Sequence, residues 1–344
     1  MSEVHEATTG AAARIRRSLA KQMRRVLTAV GVGIFLSLVY RIGWQTILDN
    51  ITGFGRWFAV ILAVQMVWVV VQALAWSLIH NGLFRHAPLW LFVRVKIISD
   101  TMNTILPAAN LGGDAMRAFL IKSRIPLHEG IPGILVDKAV ESIAGILFMA
   151  LGMLGAVLYL PIPRVLLIPA AVSLPVLLAV VALLFSFLFH GFHRSATALL
   201  GWIPAMRRLF ERKESQLRML DENMRRFSTQ GGARIAVVLG LHLLSRIVGV
   251  VEVIIVLRVL DQPVSFLGAW FISAAVTLAN TILFMVPGHW GVQEGAYVLV
   301  LKALSFSGSA GLSLAIIRRI RRLFLIGFGL LLLHRERGAA ATTR

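Results

Sequence analysis

The chain contains no cysteine. That absence excludes disulfides, thiolate metal sites and thiol chemistry. Acidic residues are scarce as well: 16 Asp and Glu stand against 35 Lys and Arg in 344 residues, a formal charge of +19. HExxH, GxSxG and Walker-type loops are missing, and with them the common metalloprotease, serine-hydrolase and nucleotide-hydrolysing devices. No secretory leader is expected. Arg14, Arg16, Arg17, Lys21, Arg24 and Arg25 precede a hydrophobic run without a small-residue cleavage site, so that run is expected to be retained as a helix. Neither a cofactor nor a metal is expected.

What the chain has in abundance is apolar sequence. It is 58% hydrophobic and 15% charged, with a mean hydropathy of +0.80. A soluble domain is less apolar, and a single anchor is far shorter, so a polytopic membrane protein is expected. Its positive excess suits cytoplasmic loops facing anionic headgroups. Nucleic acid is not an expected partner.

In chain order, residues 1–25 form a basic cytoplasmic segment, and 26–56 hold a first span and its linker. Trp57 to Ile79 is uncharged and of bilayer length. Pro88 to Leu106 is apolar but interrupted by Arg94, Lys96 and Asp100, and with Asn103 to Lys122 it makes a broken hairpin. Gly133 to Leu158 is the next span, and 159–190 hold an intervening one with kink sites at Pro169 and Pro175. Residues 191–233 are a basic amphipathic cytoplasmic loop. Ile235 to Leu257 is a span carrying His242, Arg246 and Glu252, the last two not on one helical face. Val264 to Leu304 make a second broken hairpin, and Leu312 to Leu333 a last span before the basic tail at 334–344. Basic segments alternate with neutral turns in a way that places both termini in the cytoplasm.

The two hairpins read as related. Asn103-Thr104-Ile105-Leu106 and Asn280-Thr281-Ile282-Leu283 lie 177 positions apart. Pro107, Gly112 and Gly113 are expected to break the first hairpin, and Pro287, Gly288 and Gly291 the second, since proline removes a donor and glycine permits a tight turn. Broken backbone inside a bilayer is tolerated where protein or a water-filled cavity receives it. Residues 57–158 and 234–333 then form two units of span, hairpin and span. Counting crossings makes them inverted repeats, a recurrent transporter design. The expected fold is thus all-α and polytopic, with about six full spans and two re-entrant or broken hairpins arranged as an inverted repeat.

Charge inside spans marks where chemistry sits, because such groups cost several kcal/mol unless paired or wetted. Asp137, Lys138 and Glu141 share a face of one span; Arg318, Arg321 and Arg322 share a face of the other, with Arg319 on the flank. Two readings stand: a salt-bridge network that locks the bundle, or a polar cavity whose surplus arginines contact a phosphate. Asp114 and Arg117 follow the Gly-Gly pair one turn apart. They read either as an anion site at a restarting helix or as a self-contained pair capping it. An Asp114–Asp137 dyad would make the protein an intramembrane enzyme, but Arg117 and Lys138 beside them would hold both carboxylates ionised, and no enzyme activity is expected.

At these residues a resemblance appears. LPAANLGGDAMRAFLI resembles the "LP…GG(D/E)…R" hairpin of the lysylphosphatidylglycerol synthase transmembrane, or flippase-like, family. VPGHWGVQEGAYVLVL, followed by an arginine-bearing helix, is similar to that family's "PGGxGxxEG…R" signature, with His289 standing where a second glycine is usual. The family includes the flippase part of multiple peptide resistance factors and stand-alone relatives. The resemblance implies a transporter that moves a polar-headgroup lipid between the leaflets of a bacterial inner membrane, without the soluble synthase domain of fused members. Anionic or zwitterionic membrane lipids are the expected partners. Arg117, Arg318 and Arg322 are expected to contact phosphate. Asp114, Asp137, Glu141 and Glu294 would balance charge or contact a cationic headgroup. The alternative is a membrane scaffold that binds a lipid-modifying enzyme through the basic loop at Arg207 to Arg226.

Overall fold

A computed structural model describes residues 52–83, 87–105, 111–122, 124–190, 232–283 and 291–342, with Tyr40, Gln45 and Asp49 as isolated points. The expected first span apart from Tyr40, the basic loop at 191–233 apart from its last two residues, and the break residues Pro107, Pro287 and Gly288 lie outside the described residues.

Among the described residues the chain is helical throughout. The order is α1 (Trp57–Leu83), α2 (Leu89–Ile105), α3 (Leu111–Ile121), α4 (Leu127–Tyr159), α5 (Arg164–His190), α6 (Gly232–Val259), α7 (Phe266–Ile282), α8 (Val292–Ala303) and α9 (Gly308–Thr342). α1, α4, α5 and α6 are long and apolar enough to cross a membrane. α9 is longer still at 35 residues but carries the four arginines. The chain is therefore an all-α polytopic membrane protein. α5 is the most lipid-exposed of the long helices, with 17% of its most apolar stretch buried. Its Pro169 and Pro175 are accommodated within one helix.

The hairpin arms are short for a physical reason. At 1.5 Å per residue, α3 and α8 reach about 17 and 18 Å, well under the ~30 Å hydrocarbon core. Their polar starts stop them from extending further. At α3, the Gly113 N–H, a donor the helix itself cannot satisfy, is taken by the Asn103 side chain of α2 at 2.7 Å. At α8, Gly291 adopts φ 74°, a left-handed conformation that suits glycine, and its N–H donates to Glu294 at 2.9 Å.

One expectation is corrected here. Gly112 and Gly113 do not break the hairpin; both lie in the first turn of α3. Gly113 is needed for close packing instead, since a Cβ there would overlap the Ser99 carbonyl oxygen and the Asn103 side chain of α2. The first arm is described as far as Ile105 and the second from Leu111.

Packing follows a pattern. α2 and α7 have 17 residues each and are displaced by 177 positions at both ends. Exchanging α1 with α6, α2 with α7, α3 with α8 and α4 with α9 turns each packed pair into another. α4 against α7 becomes α9 against α2, α3 against α4 becomes α8 against α9, and α1 against α6 maps onto itself. α5 stands outside the exchange, packed on α4. The crossings match in detail: Gly152 of α4 admits Trp270 and Ala274 of α7, and Gly329 of α9, 177 positions later, admits Ile97 and Thr101 of α2.

Candidate functional site

Seven helices surround one cavity of about 440 Å³ between the two halves. α2 contributes Lys96, Asp100 and Asn103, and α3 contributes Arg117. α4 supplies Lys138 and Glu141; α6 supplies Arg246, Gly249 and Glu252; α7 supplies Ser273 and Thr277; and α9 supplies Arg318, Arg321 and Arg322. Gln65 and Trp68 of α1 complete the polar part. The charged faces of the fourth and ninth helices, far apart in sequence, thus meet at one cavity.

Its charges are held in small, separate networks. Arg117 is buried and donates to Asp137 at 2.8 Å, while its guanidinium lies 4.8 Å from the centre of the Trp76 ring, a stacking contact that suits arginine. Asp137 also accepts from His242 Nε2 of α6 at 3.1 Å, which ties the two halves together beside Gln72 of α1 and Ser245 of α6, joined at 2.9 Å. Lys138 pairs with Glu141 at 3.3 Å and Lys96 with Asp100 at 3.2 Å. On the opposite wall Glu252 receives both Arg318, at 3.1 Å, and Arg321. Arg318 also donates to the Gly249 carbonyl at 2.9 Å and to the Tyr297 hydroxyl of α8.

Each residue expected at a site can now be placed. Arg117, Lys138, Glu141, Arg318 and Arg322 line the cavity. Asp137 is fully buried behind Arg117 and acts on the cavity through it. Asp114 sits half-buried, 3.9 Å from Arg117 and outside the lining; the guanidinium, rather than a shared proton, stands between the two aspartates. Glu294 and Arg319 pair with each other away from the lining, and Glu294 caps its own helix. Gly291 is the N-cap of α8. Paired networks and a charged cavity coexist.

Sequence reasoning left His242, Arg246 and Glu252 without a role. Arg246 and Glu252 do not share a face in a strict sense, yet both line the cavity. With Gly249 they are spaced three apart, and each such step rotates by about 60° around the helix, so the three sweep a stripe about 120° wide. A cavity that wraps α6 accepts that whole stripe. Allowing a polar stripe about 120° wide, with Arg246 and Glu252 six positions apart at its edges, would have found it.

A family model described as "Lysylphosphatidylglycerol synthase TM region" matches residues 25–329. A protein described as a "UPF0104 membrane protein", from Methanothermobacter thermautotrophicus, is 20% identical over 322 residues, which cover 89% of this chain and 93% of that protein. No solved structure matches the chain.

Proposed function

The chain belongs to the lysylphosphatidylglycerol synthase transmembrane family, and on that premise we propose that it is a lipid transporter, which passes a polar headgroup between leaflets through the cavity while the acyl chains stay in the bilayer. The observation that carries this reading is a charged cavity, among the described residues, that residues 57–158 and 234–333 of a membrane protein share. Charges on membrane-spanning helices are unfavourable without a partner or water, and here they line a space of about 440 Å³. A packed, purely structural network would close such a space.

The exchange of packing pairs supports treating 57–158 and 234–333 as an inverted repeat, the arrangement from which alternating access follows. In this reading the short arms α3 and α8 are re-entrant gates facing opposite leaflets. The protein sits in an inner membrane with both termini cytoplasmic, as the distribution of Lys and Arg supports. It carries out no covalent step. Asp137, the best-placed acid of the enzyme alternative, is already engaged by Arg117 and His242.

Gly249 supplies the test. It lines the cavity, and a Cβ there meets nothing within 4 Å, so a larger side chain starts from open space. In proteoliposomes, Gly249→Phe is expected to slow the movement of a labelled phospholipid at least ten-fold while the protein keeps its elution volume and melting temperature. A filled cavity with an unchanged rate would place the pathway elsewhere. A wild-type protein that moves no labelled phospholipid would remove the transport reading.

A further inference from the structure

The cavity holds more positive charge than its own carboxylates balance. Seven cations line it. Asp100 pairs with Lys96, Glu141 with Lys138 and Asp137 with Arg117, while Glu252 is shared by Arg318 and Arg321. Four carboxylates against seven cations leave three positive charges in excess, and adding Asp114, 3.9 Å from Arg117, still leaves two. All of the excess lies on α6 and α9. Among the described residues Arg246 has no ion pair, and its Nε is buried without a hydrogen-bond partner. Its guanidinium reaches across to Gly145 of α4. Arg322 has only the Gln293 amide oxygen, at 3.3 Å. The Nε atoms of Arg318 and Arg321 are likewise buried and unpartnered.

Buried cations in excess are unfavourable in an empty site and favourable in one that receives an anion. Guanidinium forks select oxyanions, because two parallel N–H groups match two oxygens. The size of the excess then selects among phosphates. A phosphodiester carries one negative charge. A phosphomonoester carries about 1.5 to 2 at pH 7 and offers three acceptor oxygens, and a diphosphate bridge carries two. We infer that Arg246 of α6 and Arg322 of α9, beside Arg321, form an anion subsite for a phosphomonoester or diphosphate group in preference to a phosphodiester. That this group is a lipid's headgroup rests on the transport reading; the subsite itself takes the same chemistry from a soluble phosphate.

The test compares probes on the purified full chain in detergent. Short-chain phosphatidic acid is a monoester lipid, short-chain phosphatidylglycerol is a diester lipid, and pyrophosphate and inorganic phosphate are the soluble arm. Phosphatidic acid is expected to bind at least ten-fold more tightly than phosphatidylglycerol. Arg246→Gln and Arg322→Gln are each expected to remove most of that preference. Arg258→Gln, which deletes the same charge at the exposed end of α6, is expected to leave it intact. Pyrophosphate binding with the same arginine dependence, and no binding of phosphatidic acid, supports the subsite and assigns it a soluble ligand. Equal affinity for the two lipids, or a preference that survives both arginine substitutions, overturns the inference. The comparison on the unaltered protein decides the matter even where a variant fails to fold. Transport of labelled lipid without any such preference would sink this inference and leave transport standing; the preference without transport would do the reverse.

Discussion

At the scale of single residues, Arg117 shows how far a sequence can be read and where it stops. Its importance is visible in the string, because an arginine inside an apolar hairpin demands a partner. Its partner is not visible. Asp137 lies 20 positions away on another helix, and Trp76 lies on a third. Arg117 is thus engaged by an indole and an aspartate, while among the described residues Arg246 has no ion pair and Arg322 has an amide oxygen as its hydrogen-bond partner. The two kinds of arginine differ in a measurable way. Arg117→Ala leaves Asp137 buried with only His242 to balance it, and removing one member of a buried pair costs about 3–5 kcal/mol. It is expected to lower the melting temperature sharply, and Asp137→Ala should lower it comparably. The double substitution is expected to be less damaging than the sum of the two, because the orphaned charge is gone. Arg322→Gln, with only an amide contact to lose, is expected to melt close to the unaltered protein. Equal losses from Arg117→Ala and Arg322→Gln would contradict this division.

At the scale of elements, the expected spans from Trp57 onward recur as helices with ends shifted by a few residues, because an apolar run of bilayer length has one stable outcome in lipid. The hairpins were harder to read. Gly112 and Gly113 look like a break because glycine is most often noticed for its backbone freedom. Here Gly113 serves by having no side chain, so that α3 starts directly against the Ser99 carbonyl of α2. That use of glycine depends on a neighbour fourteen positions away, which local rules do not weigh. It also yields a prediction: Gly113→Leu is expected to part the arms of the first hairpin and reduce the yield of folded protein. Gly249→Ala, at a position with open space, is expected to leave yield and melting temperature unchanged. Protease protection of the α2–α3 connection would report the difference. If Gly113→Leu kept full protection, the close approach would not be what seats α3.

At the scale of the whole molecule, the offset of 177 that first appears in two NTIL tetrapeptides reappears as geometry. The same displacement relates both ends of α2 and α7 and the two glycines at equivalent crossings, Gly152 on α7 and Gly329 on α2. The sequence could suggest the pairing of 57–158 with 234–333 but not that the two segments enclose a cavity, since that depends on α4 crossing α7 and α9 crossing α2. On the proposed transport reading, those crossings are where the halves would have to slide or rock to alternate between leaflets. The absence of cysteine now becomes useful, because introduced pairs have no background. Thr101→Cys with Gly329→Cys, and Gly152→Cys with Ala274→Cys, each place two Cβ atoms of opposite halves 2.9 Å apart, nearer than the ~3.5–4.5 Å of a disulfide, so each bridge requires the helices to part slightly at the crossing. Oxidation is expected to cross-link each pair within the monomer and to arrest lipid movement in proteoliposomes, and reduction to restore it. Cross-links that form fully without slowing lipid movement would mean that the halves carry the headgroup without moving at these crossings, and the alternating-access part of the proposal would fall while the cavity remained.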